Sequence, residues 1–213
     1  MLTYNLDAAV NYLMRSNGHL ARLIQEVGPC TLDAVKLRDP FNALLRTIIY
    51  QQLSGKAAAT IYHRVQNALG VSENDSISAH RVLSIDPNSL RGAGLSRAKL
   101  AAIIDLSEKQ RDGQIPNVAQ LSRLDDDTII KQLTLIRGIG VWTVQMLLIF
   151  RLGRPDIWPT KDLGIRKGYA ATFGMKTPPQ PKMLEQLGMP FQTYRSVASW
   201  YLWRAADRLN TLT

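Results

Sequence analysis

Two apolar helical runs meet at Arg137-Gly-Ile-Gly140, and no other stretch restricts the fold as tightly. The pattern Leu133 to Phe150 predicts a helix ending at Arg137, a Gly-Ile-Gly turn, and a second helix that starts at once. Glycine tolerates positive φ, so Gly138 and Gly140 permit a tight reversal. They also let backbone N–H groups approach a ligand with no Cβ in the way. The second helix then aims its unpaired N-terminal donors and positive dipole end at that ligand, which favours phosphate. Ile139, between the glycines, can plug into a core and fix the turn. An ordinary helical corner with a glycine C-cap is the plain alternative.

The remaining pattern is helical too. Leu44, Leu45, Ile48 and Ile49 form a stripe within a predicted helix from Phe41 to Leu53. Ile61, Val65 and Leu69 mark another from Lys56 to Leu69, with Gly70 as its stop. Ser96 reads as the N-cap of a helix ending near Gly113. Asp125 to Asp127 open the next, with Ile129, Ile130, Leu133 and Ile136 on one face. Val141 to Arg151 is apolar nearly all round, which predicts burial, and Val197 to Leu209 forms the last helix. No period-2 alternation or hairpin signal points to a sheet. The fold class expected is therefore all-α.

Charge narrows the partners. The chain carries 26 Lys+Arg against 17 Asp+Glu, a net +9, and ten of the basic residues against four acids lie between 151 and 213. Such an excess suits a polyanion, nucleic acid before an anionic membrane. The longest apolar run near the middle, Met146 to Phe150, is far below the ~20 residues of a membrane helix. The N-terminus has an early acid and no unbroken apolar core, unlike a signal peptide. One cysteine, Cys30, excludes an intrachain disulfide, a Cys-rich zinc site and a four-cysteine cluster, and fits a reducing compartment. His19, His63 and His80 have no metal-ligand spacing.

About twenty residues after the hairpin comes Pro159-Thr-Lys-Asp-Leu-Gly164. Arg38-Asp39-Pro40-Phe41 leads to Gln51-Gln52-Leu53-Ser54, and Tyr194-Arg195-Ser196 precedes the last helix. Together with the Gly-Ile-Gly turn these motifs resemble the helix-hairpin-helix DNA glycosylase superfamily, in particular its alkylation-repair branch, DNA-3-methyladenine glycosylase II. The resemblance covers roughly residues 38–208. It implies two helical subdomains with an active-site cleft between them: residues 35–140, ending in the hairpin, and residues 1–34 plus 141–213.

By that resemblance Asp162 is the catalytic residue. Cleaving an N-glycosidic bond builds positive charge on the sugar, and a nearby carboxylate stabilises it and can orient or deprotonate water. An N3- or N7-alkylated purine is already cationic and leaves neutral, so no second acid is needed. Read alone, Asp162 is a helix N-cap for Leu163 to Thr172; capping and catalysis are compatible. Family members often carry an acid just before it. Here Lys161 stands there, as a phosphate contact or as a charge beside Asp162. Glycosylases that also cut the strand place a Schiff-base lysine on the second hairpin helix. The matching residue here is Trp142, which implies a monofunctional enzyme.

The resemblance also assigns the base pocket and the DNA contacts. Trp142, Met146 and Trp203 would line the pocket, where aromatic faces suit a cationic purine. Burial in the core is the alternative for each Trp, and the favoured one for Trp158, Trp200 and Tyr201. The turn Gln51 to Lys56 would fill the hole left in the base stack, with Gln52 or Leu53 as plug and Ser54 probing the minor groove. Ser54 also reads as a plain N-cap. Lys56, Arg97, Arg137, Lys161 and Arg166 would meet phosphates alongside Gly138 and Gly140. No cofactor is required, although main-chain carbonyls of Thr134 and Ile136 would hold a monovalent cation, Na⁺ or K⁺. The expected partner is double-stranded DNA containing alkylated bases, met by a monomer, with no membrane. The setting would be a bacterial cytoplasm, at the nucleoid, or a nucleus. The function implied is base-excision repair of alkylated purines. A DNA-binding or damage-sensing protein without chemistry is the alternative, and a glycosylase for deaminated or oxidised bases is another.

Overall fold

The computed structural model describes residues 2–73 and 75–211, which form helices and turns with no strand among them. In chain order the helices are α1 Leu6–Ser16, α2 Gly18–Val27, α3 Pro40–Tyr50, α4 Gly55–Ala68, α5 Ala79–Ser84, α6 Pro87–Gly92, α7 Arg97–Arg111, α8 Val118–Arg123, α9 Asp126–Leu133, α10 Val141–Phe150, α11 Leu163–Phe173, α12 Pro181–Leu187 and α13 Arg195–Thr211. Most begin where the sequence supplies a capping oxygen. Asn5, Asn17, Asp39, Ser54, Ser96, Asn117, Asp125 and Asp162 each accept an N–H from the first turn that follows, which satisfies a donor that has no partner within the helix. Among the described residues no helix is long and apolar enough to cross a membrane.

The chain divides into two compact units. One holds the chain up to Lys36 and again from Gln145 onward; the other is Leu37–Val144. The later boundary falls inside α10, not at its start, because a continuous helix carries no pattern break there. In the first unit α11 packs closely on α13, and α2 packs on both. Leu13, Leu20, Ile165, Phe191 and Tyr201 are fully buried there. Gly168 sits where a Cβ would lie 1.9 Å from the carbonyl oxygen of Leu202, so only glycine permits this approach of α11 to α13. In the second unit α7 packs on α3 and α5, around Leu44, Leu45, Ile48, Ile49, Ile103 and Leu106.

Three expectations need correction. The helix from Phe41 stops at Tyr50, not Leu53, because the backbone turns out of helical geometry at Gln51, with ψ 134°, and Gln52 then takes a left-handed φ of 57°. The helix before the hairpin stops at Leu133, not Arg137. Thr134 caps it and residues 134–140 form a wider turn, in which Ile136 is buried but no longer helical. Third, α10 is not buried all round. Val144, Leu148 and Ile149 are buried, while Val141 and Trp142 at its start are 40% and 48% exposed, since the helix begins at a surface turn.

Candidate active site

Asp162 caps α11. Its Oδ1 accepts the N–H of Ile165 at 2.9 Å and the indole Nε1–H of Trp203, on α13, at 3.1 Å. A Cβ at Gly164 would stand 3.0 Å from both Asp162 Oδ1 and Trp203 Cδ1. Glycine there leaves room for the acid and the indole to meet. Trp203 stacks on Phe150, with ring centroids 5.7 Å apart and planes 28° from parallel. Asp162 therefore caps α11 as its position predicts, and the same oxygen also takes the Trp203 indole donor.

The segment leading to Asp162 is tied down at several points. Arg195 donates from Nε and Nη2 to the two carboxylate oxygens of Asp156, each at 2.8 Å, a paired geometry that fixes direction as well as distance. Ser196 Oγ donates to the carbonyl of Arg154 at 2.7 Å and accepts the N–H of Ile157 at 2.9 Å. The indole of Trp158 is buried and donates to the carbonyl of Leu184 at 2.8 Å. The Pro159 carbonyl accepts the N–H of Asp162 at 2.9 Å. Trp158, Trp200 and Tyr201 are core residues.

In the 37–144 unit the hairpin turn is braced from α7. Asp105 Oδ2 accepts the N–H of Arg137 at 2.8 Å, and Oδ1 pairs with Lys109 at 2.5 Å. Burial alone would push the Asp105 carboxyl up; the bonds from Lys109 and Arg137 outweigh it and hold the group below the usual carboxylate range. Gly138 has φ 80°, and a Cβ on it would come 3.2 Å from that of Ala102. Ile139 is buried, as its place between the glycines predicts. The side chain of Arg137, Gly138 and Gly140 are exposed at the start of α10.

The turn after α3 is the second exposed element of that unit. Leu53 is 38% exposed, and Gln52, Ser54 and Lys56 are exposed with it. Ser54 Oγ accepts the N–H of Ala57 at 3.4 Å, so its capping role is present. Gln51 Nε2 donates to the carbonyl of Gly138 at 2.9 Å. Lys99 Nζ donates to the carbonyls of Ile49 and Gln51 at 2.6 and 2.8 Å, and burial holds its ammonium below the usual lysine range.

A family model described as "HhH-GPD superfamily base excision DNA repair protein" matches residues 45–191. The chain belongs to that superfamily. Among its relatives, DNA-3-methyladenine glycosylase 1 of Schizosaccharomyces pombe is 32% identical over 95% of this chain and 88% of its own length. The alkylbase DNA glycosidase-like protein mag2 of the same yeast is 30% identical over 92% of both. Among solved structures, the S. pombe 3-methyladenine DNA glycosylase Mag1 in complex with abasic DNA superposes with a TM-score of 0.79 at 31% identity, over 94% of this chain and 97% of that one. A DNA-3-methyladenine glycosidase from Bacillus halodurans gives 0.84 at 30% identity, over 95% and 91%.

Of the site residues expected for an HhH-GPD chain, the structure brings Asp162 and Trp203 into direct contact. Met146, half-buried on α10, belongs to the same unit, while Trp142 belongs to the 37–144 unit. Lys161, Lys56 and Arg97 are exposed. Arg166 is partly committed, since its Nε donates to the Pro179 carbonyl at 2.7 Å and holds that segment to α11. Thr134 is half-buried, and the Ile136 carbonyl accepts the N–H of Ile139 at 3.0 Å. Among the described residues no group of three His, Cys, Asp or Glu side chains could hold a metal ion. No sequence pattern assigns a role to Asp105 or to the Asp156–Arg195 pair. Each acts on backbone or charge more than thirty positions away, which local patterns do not register.

Proposed function

We propose that this protein hydrolyses the N-glycosidic bond of alkylated purines in duplex DNA, of the 3-methyladenine and 7-methylguanine type, and leaves an abasic site. The observation that carries the reading is the Asp162 carboxylate held between a helix N–H and the Trp203 indole. The names of the relatives support the substrate class. Within the superfamily the reading is the DNA-3-methyladenine glycosylase II type.

As the bond to a cationic purine lengthens, electrons pass to the base, which departs neutral, and positive charge gathers on C1′ and the ring oxygen of the sugar. Asp162 stabilises that charge electrostatically. Water adds at C1′ and gives up one proton, to the Asp162 carboxylate and from there to solvent, leaving a hydroxyl on the abasic sugar. With Oδ1 fixed by two donors, the carboxylate cannot swing away. Trp203, stacked on Phe150, offers an aromatic wall for the extruded base. Trp142 has no amine, so no Schiff base forms there and the strand stays uncut. The hairpin amides, Arg137 and Lys56 are suited to grip phosphates of double-stranded DNA. Main-chain carbonyls of Thr134 and Ile136 are our candidates for a monovalent cation; the Ile136 oxygen keeps a second lone pair beside its bond to Ile139, and the ion would add positive charge near the backbone.

The test is mass spectrometry of bases freed from methylated DNA. Wild type should release 3-methyladenine or 7-methylguanine. Asp162→Asn, which still caps α11, should release them roughly a hundredfold to ten-thousandfold more slowly. Equal release by both would overturn the mechanism, and covalent trapping by borohydride would overturn the monofunctional assignment.

A further inference from the structure

The turn that follows α3 is held in a strained shape by the side chains of Lys99 and Gln51. Gln52 has φ 57°, a left-handed conformation that a residue with a Cβ rarely adopts and that persists only where its surroundings enforce it. The enforcing contacts flank it. Lys99 Nζ bonds the carbonyls of Ile49 and Gln51, which lie at the C-terminal end of α3 and would otherwise lack helical partners. Gln51 Nε2 reaches across to the carbonyl of Gly138 in the hairpin.

The location of Lys99 is informative. It stands in the first turn of α7, capped by Ser96, where the helix dipole disfavours a cation and where no acid offsets it. Its charge is instead directed at the negative end of α3, whose dipole favours it. A lysine placed for solubility would not pass its stem through partly buried space to reach two main-chain carbonyls. The same short turn exposes Leu53, so a rigid base supports an apolar tip.

We propose that Lys99 and Gln51 are positioning residues for base extrusion: together they lock the Gln51–Ser54 turn in its inserting shape and fasten it to the phosphate-gripping hairpin at Gly138. This rests on the glycosylase reading above. Grip on the backbone and insertion into the stack then act as one rigid device, and the ordering of the turn is completed before DNA arrives. Neither residue touches the reacting atoms, so their effect is confined to the step that moves the base out of the duplex.

The experiment compares wild type, Lys99→Met and Gln51→Leu on two substrates that share one lesion, 7-methylguanine: one paired within a duplex, the other in a single-nucleotide bulge, where little extrusion remains to be done. Single-turnover release is measured on both, with thermal melting of each variant. Gln51→Leu alters a partly exposed side chain, which keeps the test informative should Lys99→Met fold poorly. We expect each variant to slow release from the paired lesion roughly tenfold, about 1.4 kcal/mol of barrier, and to leave the bulged lesion within twofold of wild type. Lys99→Arg, which retains the charge and several donors, should restore most of the paired-lesion rate. Equal slowing on both substrates, or no slowing on either by Gln51→Leu, would overturn the proposal while leaving the glycosylase reading intact. Absence of release by wild type from methylated DNA, of 3-methyladenine as of 7-methylguanine, would instead overturn that reading.

Discussion

Replacing Gly168 by Ala tests how the Asp162–Trp203 pair is positioned. The new Cβ would stand 1.9 Å from the Leu202 carbonyl oxygen, where real Cβ atoms stay beyond 3.0 Å, and the obstacle is backbone that cannot rotate away. α11 and α13 must therefore separate by about 1 Å, which forfeits a quarter to a half of the dispersion attraction along their contact. Overpacking ordinarily costs about 1–3 kcal/mol, and an unyielding main-chain neighbour puts this case at the upper end. Alanine in place of glycine inside a helix returns roughly 1 kcal/mol. The net expectation is a loss of about 2 kcal/mol, or roughly 4–8 °C in Tm for a chain of this size. The functional loss should be larger in proportion. Asp162 begins α11 and Trp203 lies on α13, so the same shift pulls the indole from the carboxylate, and a displacement of about 1 Å can cost about a hundredfold in rate. Thermal melting by circular dichroism and base release well below the transition give the two readouts. Gly18→Ala, with nothing within 4 Å of its Cβ, is the matched control and should melt at or above wild type. A Gly168→Ala protein as stable and as active as that control would refute the argument.

Other outcomes follow from the same geometry. Trp203→Phe keeps an aromatic wall but removes the donor to Asp162 Oδ1; base release should fall about tenfold, with the melting temperature within a few degrees of wild type. An unchanged rate would show that the indole N–H does not position the acid. Asp105 has a depressed folded pKa, so its contribution to stability is complete above its unfolded value near pH 4 and is lost as pH falls through the lower folded value. The Tm gap between wild type and Asp105→Asn should be widest near neutrality and close in acid below about pH 4. A gap that stays constant to pH 3 would contradict the assignment.

Much of this arrangement was legible in the sequence wherever the cause is local. Ser54, Ser96, Asp125 and Asp162 cap helices, a role legible in sequence because a cap is a matter of four consecutive residues. The stripe through Leu44, Leu45, Ile48 and Ile49 is buried as its period requires. The ends of α3 and α9 were misplaced because tertiary contacts decide them. Gln52 turns left-handed under the pull of Lys99 and Gln51, and the Arg137 N–H is taken by Asp105, thirty-two positions earlier. The sequence pattern assigns no helix before Phe41, although Asn5 and Asn17, which cap α1 and α2, both precede amphipathic runs. The bond between Trp203 and Asp162 spans forty-one positions and needed coordinates. Gly164 and Gly168 are ordinary helical glycines in the sequence, and only the approach of α13 explains them.

Because the acid proposed to act on the sugar also starts a helix, the fold has its own reason to keep an oxygen-bearing side chain at position 162. Asparagine would serve that need almost as well, and so would serine. A screen that scores only expression or heat resistance would rank such variants beside the parent and pass over the loss of chemistry. In an engineered or drifting lineage, the shape could outlive the reaction by a single amino-acid exchange.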